Sequence, residues 1–301
     1  MTLKTEKDRL YGGVYSYVMT PFDKKGDVDH GALADYVEGL VESGLDGVTV
    51  NASTTEVHYL QEAERKAVLE TVCKTVDKRV VVNAGVGAHS TRQSLYFASH
   101  AKDMGVDRLI CELPTFFKIN FEDAYRHYEK ISSEIGLPIR IYNITAPTHN
   151  DFNPHQALQL ANIEMVDSFK EATADPLRTK DVVNLCGDRM QVYCGFHYLL
   201  PEVIKYGAVG WEGGMHPAFA PLSVKLFRAL IKDHSSDESN DLYKRLAPLY
   251  FFLKTYGVTQ TVKAMDEWTD TRFGSPRPPQ GILPDVARPN LKAILSRLEI
   301  I

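Results

Sequence analysis

Short runs rich in Val, Ile, Tyr and Phe recur along the chain and alternate with longer amphipathic stretches. That alternation predicts parallel strands joined by crossover helices. Eight strands are predicted, over residues 13–20, 47–52, 80–86, 108–113, 139–144, 165–171, 190–195 and 208–213. Helical spacing fills the gaps near 30–44, 61–77, 91–104, 121–135, 154–162, 176–185 and 198–206. Turn chemistry agrees. Gly44, Gly105, Gly136 and Gly207 each fall just past a helical stretch, where a left-handed cap favours glycine. Ser90-Thr91 and Asn153-Pro154 have the form of helix starts.

After the eighth strand the spacing predicts further helices at 219–232, 238–256, 259–268 and 290–298, more than barrel closure needs. The expected fold class is therefore α/β, a (β/α)8 TIM barrel with additional C-terminal helices. Its division is expected as a barrel core over 1–216 and a closing helix with helical extension over 217–301. A doubly wound sheet also alternates, but no GxGxxG follows the first strand; Gly85-Val86-Gly87-Ala88 follows the third and is too short for that fingerprint. The segment Pro276-Arg277-Pro278-Pro279 is expected as a rigid turn, not a domain linker.

Composition narrows the function classes. A net charge of −5, with no cluster of five Lys or Arg, gives no footprint for nucleic acid. No 18-residue apolar run exists to span a membrane, and the polar start Met1-Thr2-Leu3-Lys4-Thr5-Glu6-Lys7-Asp8 lacks the apolar core of a signal peptide, so a cytoplasmic protein is expected. Cys73, Cys111, Cys186 and Cys194 are widely spaced and form no CxxC pair, and the ten histidines include no HExxH. Neither metal nor cofactor is expected.

One charged residue stands out. Lys170 lies inside Met165-Val166-Asp167-Ser168-Phe169-Lys170-Glu171-Ala172, a run that reads as a buried strand. Burial penalises an ammonium and lowers its pKa, which yields a neutral amine able to form a Schiff base with a carbonyl. On this segment alone, a lysine whose stem packs while its head snorkels to water is an equal reading.

In a barrel the reactive groups come from the carboxyl ends of the strands. Those ends bring Thr20, then Ser53 and Thr54, then Tyr142, Lys170, Gly195, and Trp211 with Glu212. Consecutive hydroxyls at Ser53 and Thr54 suit a small carboxylate, although turn hydroxyls bonding their own backbone are as common. Tyr142 offers a phenol for proton transfer, or a core tyrosine with its hydroxyl satisfied. The set suits a small-molecule 2-keto acid as partner.

The chain resembles the dihydrodipicolinate synthase and N-acetylneuraminate lyase superfamily, class I aldolases and lyases on a (β/α)8 barrel. The likeness spans residues 11 to 215. It runs through Val18-Met19-Thr20-Pro21-Phe22, Ala52-Ser53-Thr54-Thr55-Glu56 with Tyr59-Leu60 and Glu62 to Arg65, Asn83-Ala84-Gly85-Val86-Gly87, Ile141-Tyr142-Asn143, and Phe169-Lys170-Glu171-Ala172. The resemblance implies that Lys170 forms the Schiff base, that Tyr142 relays protons and that Ser53 and Thr54 hold the pyruvate carboxylate; in the expected reaction Tyr142 and Ser53 carry protons while Thr54 orients the carboxylate. It also implies a homo-oligomer, a tetramer built as a dimer of dimers, with Phe116 and Phe117 at the tight dimer contact.

The departures restrict the activity. Pro147 stands where the lysine-pathway synthases carry an arginine five residues after the tyrosine, and Phe116-Phe117 replace their tyrosine pair. His197-Tyr198 replace the Asp-Glu of the neuraminate lyases, while Ala52 and Thr55 replace glycines. Trp211 and Glu212 are expected to set an aromatic face and a carboxylate near Lys170, the tryptophan being similar to that of hydratase-aldolases of aromatic ylidene-pyruvates. His197 could act as a second acid or base. Four readings stay open beside a 2-keto-3-deoxy sugar acid aldolase: a sugar acid dehydratase, an aromatic hydratase-aldolase, a synthase-like condensation, and a barrel that binds a keto acid without chemistry.

Overall fold

The computed structural model describes residues 12–301; the polar start Met1 to Asp8 lies outside them. The eight parallel strands close into one barrel in sequence order. They are β1 Gly13–Tyr17, β2 Gly47–Val50, β3 Val81–Gly85, β4 Arg108–Glu112, β5 Ile139–Asn143, β6 Val166–Glu171, β7 Gln191–Cys194 and β8 Gly210–Gly214. Most strands stop one to three residues short of the apolar runs that predict them. The remaining residues begin the loops at the barrel mouth, the first of them still bonded to the neighbouring strand, as the Val86 N–H is to the Ile110 carbonyl at 2.9 Å. Thr20 is one of them, three residues past the end of β1.

The predicted helices form at His30–Glu42, Glu62–Val76, Thr91–Asp103, Phe121–Ile135, Pro154–Leu160, Pro176–Cys186 and Leu200–Lys205, followed by Ala220–Lys232, Asp237–Tyr256, Val258–Ala264 and Arg288–Arg297. Local chemistry explains their ends. The Ser90 side chain accepts from the Gln93 N–H, and Asn153 forms a reciprocal capping box with Gln156. Gly136 closes its helix at φ 70°, a left-handed conformation that a Cβ would strain. A short helix at Thr145–Thr148 escapes the sequence pattern because it is one turn long and carries Pro147, which a first turn tolerates. The stretch predicted over 259–268 is helical only to Ala264, then tightens into a 3-10 turn over Met265–Glu267.

By internal contacts the chain forms two compact units, the described part of Met1–Tyr15 with Val81–Glu212, and Ser16–Val80 with Gly213–Ile301. The expected boundary after residue 216 falls within the second. Among the described residues no helix is long and apolar enough to cross a membrane.

In the first unit, strands β3 to β8 pair in parallel, with one register shift between β5 and β6 at Ile139/Arg140, and beyond it Glu112, Tyr142, Lys170 and Tyr193 occupy one row across β4, β5, β6 and β7. Side chains in one row share a face of the sheet, so these four point to the same side.

In the second unit the loop after β2 is held from several directions. Asn51 and Glu56, which bound it, both have left-handed backbones at φ 58° and 63°. Carbonyls between them accept side-chain hydroxyls: Ala52 from Thr55 at 2.7 Å, Thr54 from Thr259 at 2.8 Å and Thr55 from Thr20 at 2.8 Å. The buried Glu56 carboxylate meets Lys263 Nζ at 2.5 Å and accepts the Arg277 N–H at 2.7 Å. Arg277 also clamps Glu64 and the Tyr59 carbonyl, so the proline-rich turn fastens this loop. Removing one partner of a buried pair leaves the other charge uncompensated. Lys263→Met is therefore expected to lower the unfolding free energy by roughly 3 kcal/mol in chemical denaturation. Adding Glu56→Gln should recover part of that loss.

Candidate active site

Lys170 lies near the carboxyl end of β6 and is only 1% exposed, so its amine is not the snorkelling head of a surface lysine. Its Nζ sits 4.1 Å from the centre of the Tyr142 ring and 3.9 Å from Glu212 Oε2. Glu212 in turn accepts from Arg140 Nη1 at 3.1 Å and from Asn83 Nδ2 at 3.3 Å. The Arg140 guanidinium lies 3.4 Å from the Tyr193 ring centre and 5.0 Å from that of Tyr15. Burial pulls the Lys170 pKa down to about 8; the Glu212 carboxylate opposes the fall and the Arg140 cation assists it. An appreciable neutral fraction near physiological pH and a phenol ring against the amine provide a nucleophile with a neighbouring proton-carrying group.

The structure divides the two β8 residues that the sequence pairs near Lys170. Glu212 does face the amine. Trp211 does not: it is in register with Cys194, adjacent to the Lys170–Tyr193 row, and strand pleating sends it to the opposite face. There it is fully buried, with the His197 ring edge-on at 5.1 Å and 89°. The expected aromatic face beside Lys170 is therefore corrected, and Glu212 is the partner of a buried lysine and arginine. His197, buried at the start of the turn after β7, packs on that tryptophan. Gly195 is required by close approach, since a Cβ there would lie 2.6 Å from the Ala172 Cβ and 2.8 Å from the Glu171 carbonyl.

In the loop after β2, Ser53 and Thr54 are half-buried within a single 3-10 turn. The Thr54 Oγ1 is buried without a hydrogen-bond partner, so it can serve an outside group. The Thr20 hydroxyl is already engaged, donating to the Thr55 carbonyl and so holding the loop.

Sequence reading passed over Arg140 and Glu112. Both are charged residues inside apolar strand runs, Ile139-Arg140-Ile141 and Ile110-Cys111-Glu112-Leu113, the same signal that singles out Lys170.

A parallel barrel that buries a lysine of lowered pKa against a tyrosine defines an enzyme of the class I aldolase and lyase type. The chain belongs to the dihydrodipicolinate synthetase family, whose model matches residues 10–298. It is 30% identical over 292 residues to a 4-hydroxy-tetrahydrodipicolinate synthase of Prochlorococcus marinus, covering 97% of this chain and 96% of that one. A protein of the same name from Geotalea daltonii is 33% identical over 201 residues, 67% of this chain and 69% of its own length. The dihydrodipicolinate synthase structure of Thermotoga maritima superposes with a TM-score of 0.92 at 23% identity, over 97% of this chain and 100% of that one, and so shares the fold.

Covalent labelling of Lys170 by a carbonyl probe and cyanoborohydride should rise with pH through a midpoint of about 8, as the ammonium loses its proton. Glu212→Gln removes the anion that favours the charged form. The midpoint should then move to lower pH, read from the labelled mass fraction across a pH series.

Proposed function

We propose that the chain is a lyase that binds pyruvate, or the pyruvyl end of a 2-keto acid, as a Schiff base on Lys170. The observation that carries this reading is the buried Lys170 amine stacked on Tyr142 beside Glu212. The neutral amine adds to C2 of the keto acid and the carbinolamine then loses water, leaving an iminium at Nζ. For a 4-hydroxy acid, the C4 hydroxyl gives up its proton, the C3–C4 bond breaks and its electron pair moves into the iminium, leaving an aldehyde and an enamine. Protonation at C3 and addition of water then return pyruvate and the free lysine. Tyr142 moves protons at the carbinolamine oxygen, and Ser53 and Thr54 hold the carboxylate. That last assignment is supported by their sequence motif and by the open hydrogen-bonding capacity of Thr54 Oγ1.

The name of the two relatives favours a second reading, condensation in the manner of a 4-hydroxy-tetrahydrodipicolinate synthase. Pro147 argues against it, because a proline offers no bidentate donor to a second carboxylate. Phe116 and Phe117 argue the same way, since neither can carry a proton. They are 80% and 73% exposed and pack on each other edge-on at 5.1 Å, which supports burial against another copy in a homo-oligomer.

Incubation with pyruvate and borohydride should add one reduced pyruvyl group, located at Lys170 by peptide mass spectrometry; an unlabelled Lys170 overturns the proposal. Thr54→Val should raise the KM for the keto acid about tenfold, the loss of one hydrogen bond to a charged group, while labelling at saturating pyruvate persists. In sedimentation, Phe116→Glu with Phe117→Glu should reduce the assembly's mass, and a monomeric wild-type chain would overturn the oligomer assignment.

A further inference from the structure

The row that holds Lys170 and Tyr142 also holds a carboxylate, that of Glu112, to which the proposed lysine chemistry gives no role. Glu112 ends β4 and is in register with Tyr142, which is in register with Lys170. It is 3% exposed, and neither of its carboxylate oxygens has a hydrogen-bond partner. Space for it is made by Gly87, just beyond the end of β3: a Cβ there would lie 2.5 Å from the Glu112 Cδ and 2.7 Å from Oε2. A buried carboxylate that accepts no bond is costly to keep dry, so an arrangement that shapes room for it points to a donor from outside the fold.

We propose that Glu112 is a specificity-determining residue, whose carboxylate accepts a hydrogen bond from a hydroxyl on the carbon chain beyond C3 of a 2-keto acid held on Lys170. The assignment rests on the Schiff-base reading for the substrate's placement. It also deepens that reading, because it names a hydroxylated 2-keto acid as the substrate class. Glu112, Tyr142 and Lys170 share one row, so a keto acid joined to the lysine and extending across the tyrosine brings its tail toward β4. An aromatic ylidene-pyruvate carries no donor at that place and would leave the carboxylate dry. Sites built to bond a substrate hydroxyl reject analogues lacking it far more strongly than apolar pockets reject an added group.

The test compares a six-carbon 2-keto-3-deoxy sugar acid, used in both C4 configurations, with 2-ketohexanoate, which has the same length and no hydroxyl. Calorimetric Kd values should show at least one sugar acid binding more tightly to the wild-type chain by about thirtyfold or more. Glu112→Gln should cut that preference by about tenfold while pyruvate labelling at Lys170 stays within about twofold. Gly87→Ala, which intrudes on the carboxylate, should erode the preference as well, but should change it less than about twofold when Glu112→Ala is already present. No preference in the wild type, an unchanged preference in Glu112→Gln, or an equal effect of Gly87→Ala in both backgrounds would overturn the assignment. Loss of pyruvate labelling in Glu112→Gln would also overturn it, placing the residue in imine formation. A wild-type chain that takes no label yet keeps a Glu112-dependent preference would sink the Schiff-base reading and leave the role of Glu112 standing.

Discussion

An amine placed inside a barrel must be reconciled with the loss of water around it, and the interior of the first unit is arranged around that constraint. Lys170 is held between the Tyr142 ring and the Glu212 carboxylate, and Glu212 is shared with Arg140 and Asn83. Removing Glu212 would leave two buried cations, and removing Arg140 would leave the carboxylate to the lysine and Asn83 alone. The set works as a unit because each member's burial is tolerable only beside the others. The consequence is chemical. An amine with a pKa of about 8 reaches its neutral form at much lower pH than a surface lysine, and the proposed iminium would carry the charge that the site already accommodates as an ammonium.

A second constraint acts on the loop after β2. Three of its carbonyls are taken by the hydroxyls of Thr55, Thr259 and Thr20, and its left-handed end at Glu56 is fixed by Lys263 and Arg277. Backbone in that region is uncommon for residues other than glycine and persists where its surroundings over-determine it. The additional C-terminal helices thereby gain a role: Val258–Ala264 supplies both Thr259 and Lys263 to a loop some two hundred residues earlier. The preparation of Thr54 Oγ1 depends on the same supports, since an unfilled hydroxyl is useful only on a backbone that keeps its place.

Much of this was legible in the sequence. The alternation of apolar runs with amphipathic stretches located each strand and crossover helix, and one lysine in an apolar run marked the buried amine that lies beside Tyr142 and Glu212. Rows and faces were not legible. Glu112 and Arg140 sit in their strands as conspicuously as Lys170, but their sharing of its face depends on register between strands, which no single segment contains. Trp211 was misplaced for a related reason: Gly210-Trp211-Glu212-Gly213-Gly214 has no hydrophobic alternation from which to read which residue faces inward. Thr20 lay in a run that looked like continuous strand, and only the long-range bond to Thr55 shows what its hydroxyl does. The Glu56–Lys263 pair joins positions too far apart in the chain for spacing to connect.

On the proposed reading this interior makes Lys170 the amine that captures a keto acid. The most direct measurement is a crystal structure of the chain after exposure to pyruvate and borohydride. Electron density should run continuously from Lys170 Nζ to C2 of the reduced pyruvyl group. Unmodified density at Lys170, with pyruvate bound elsewhere or not at all, would contradict it.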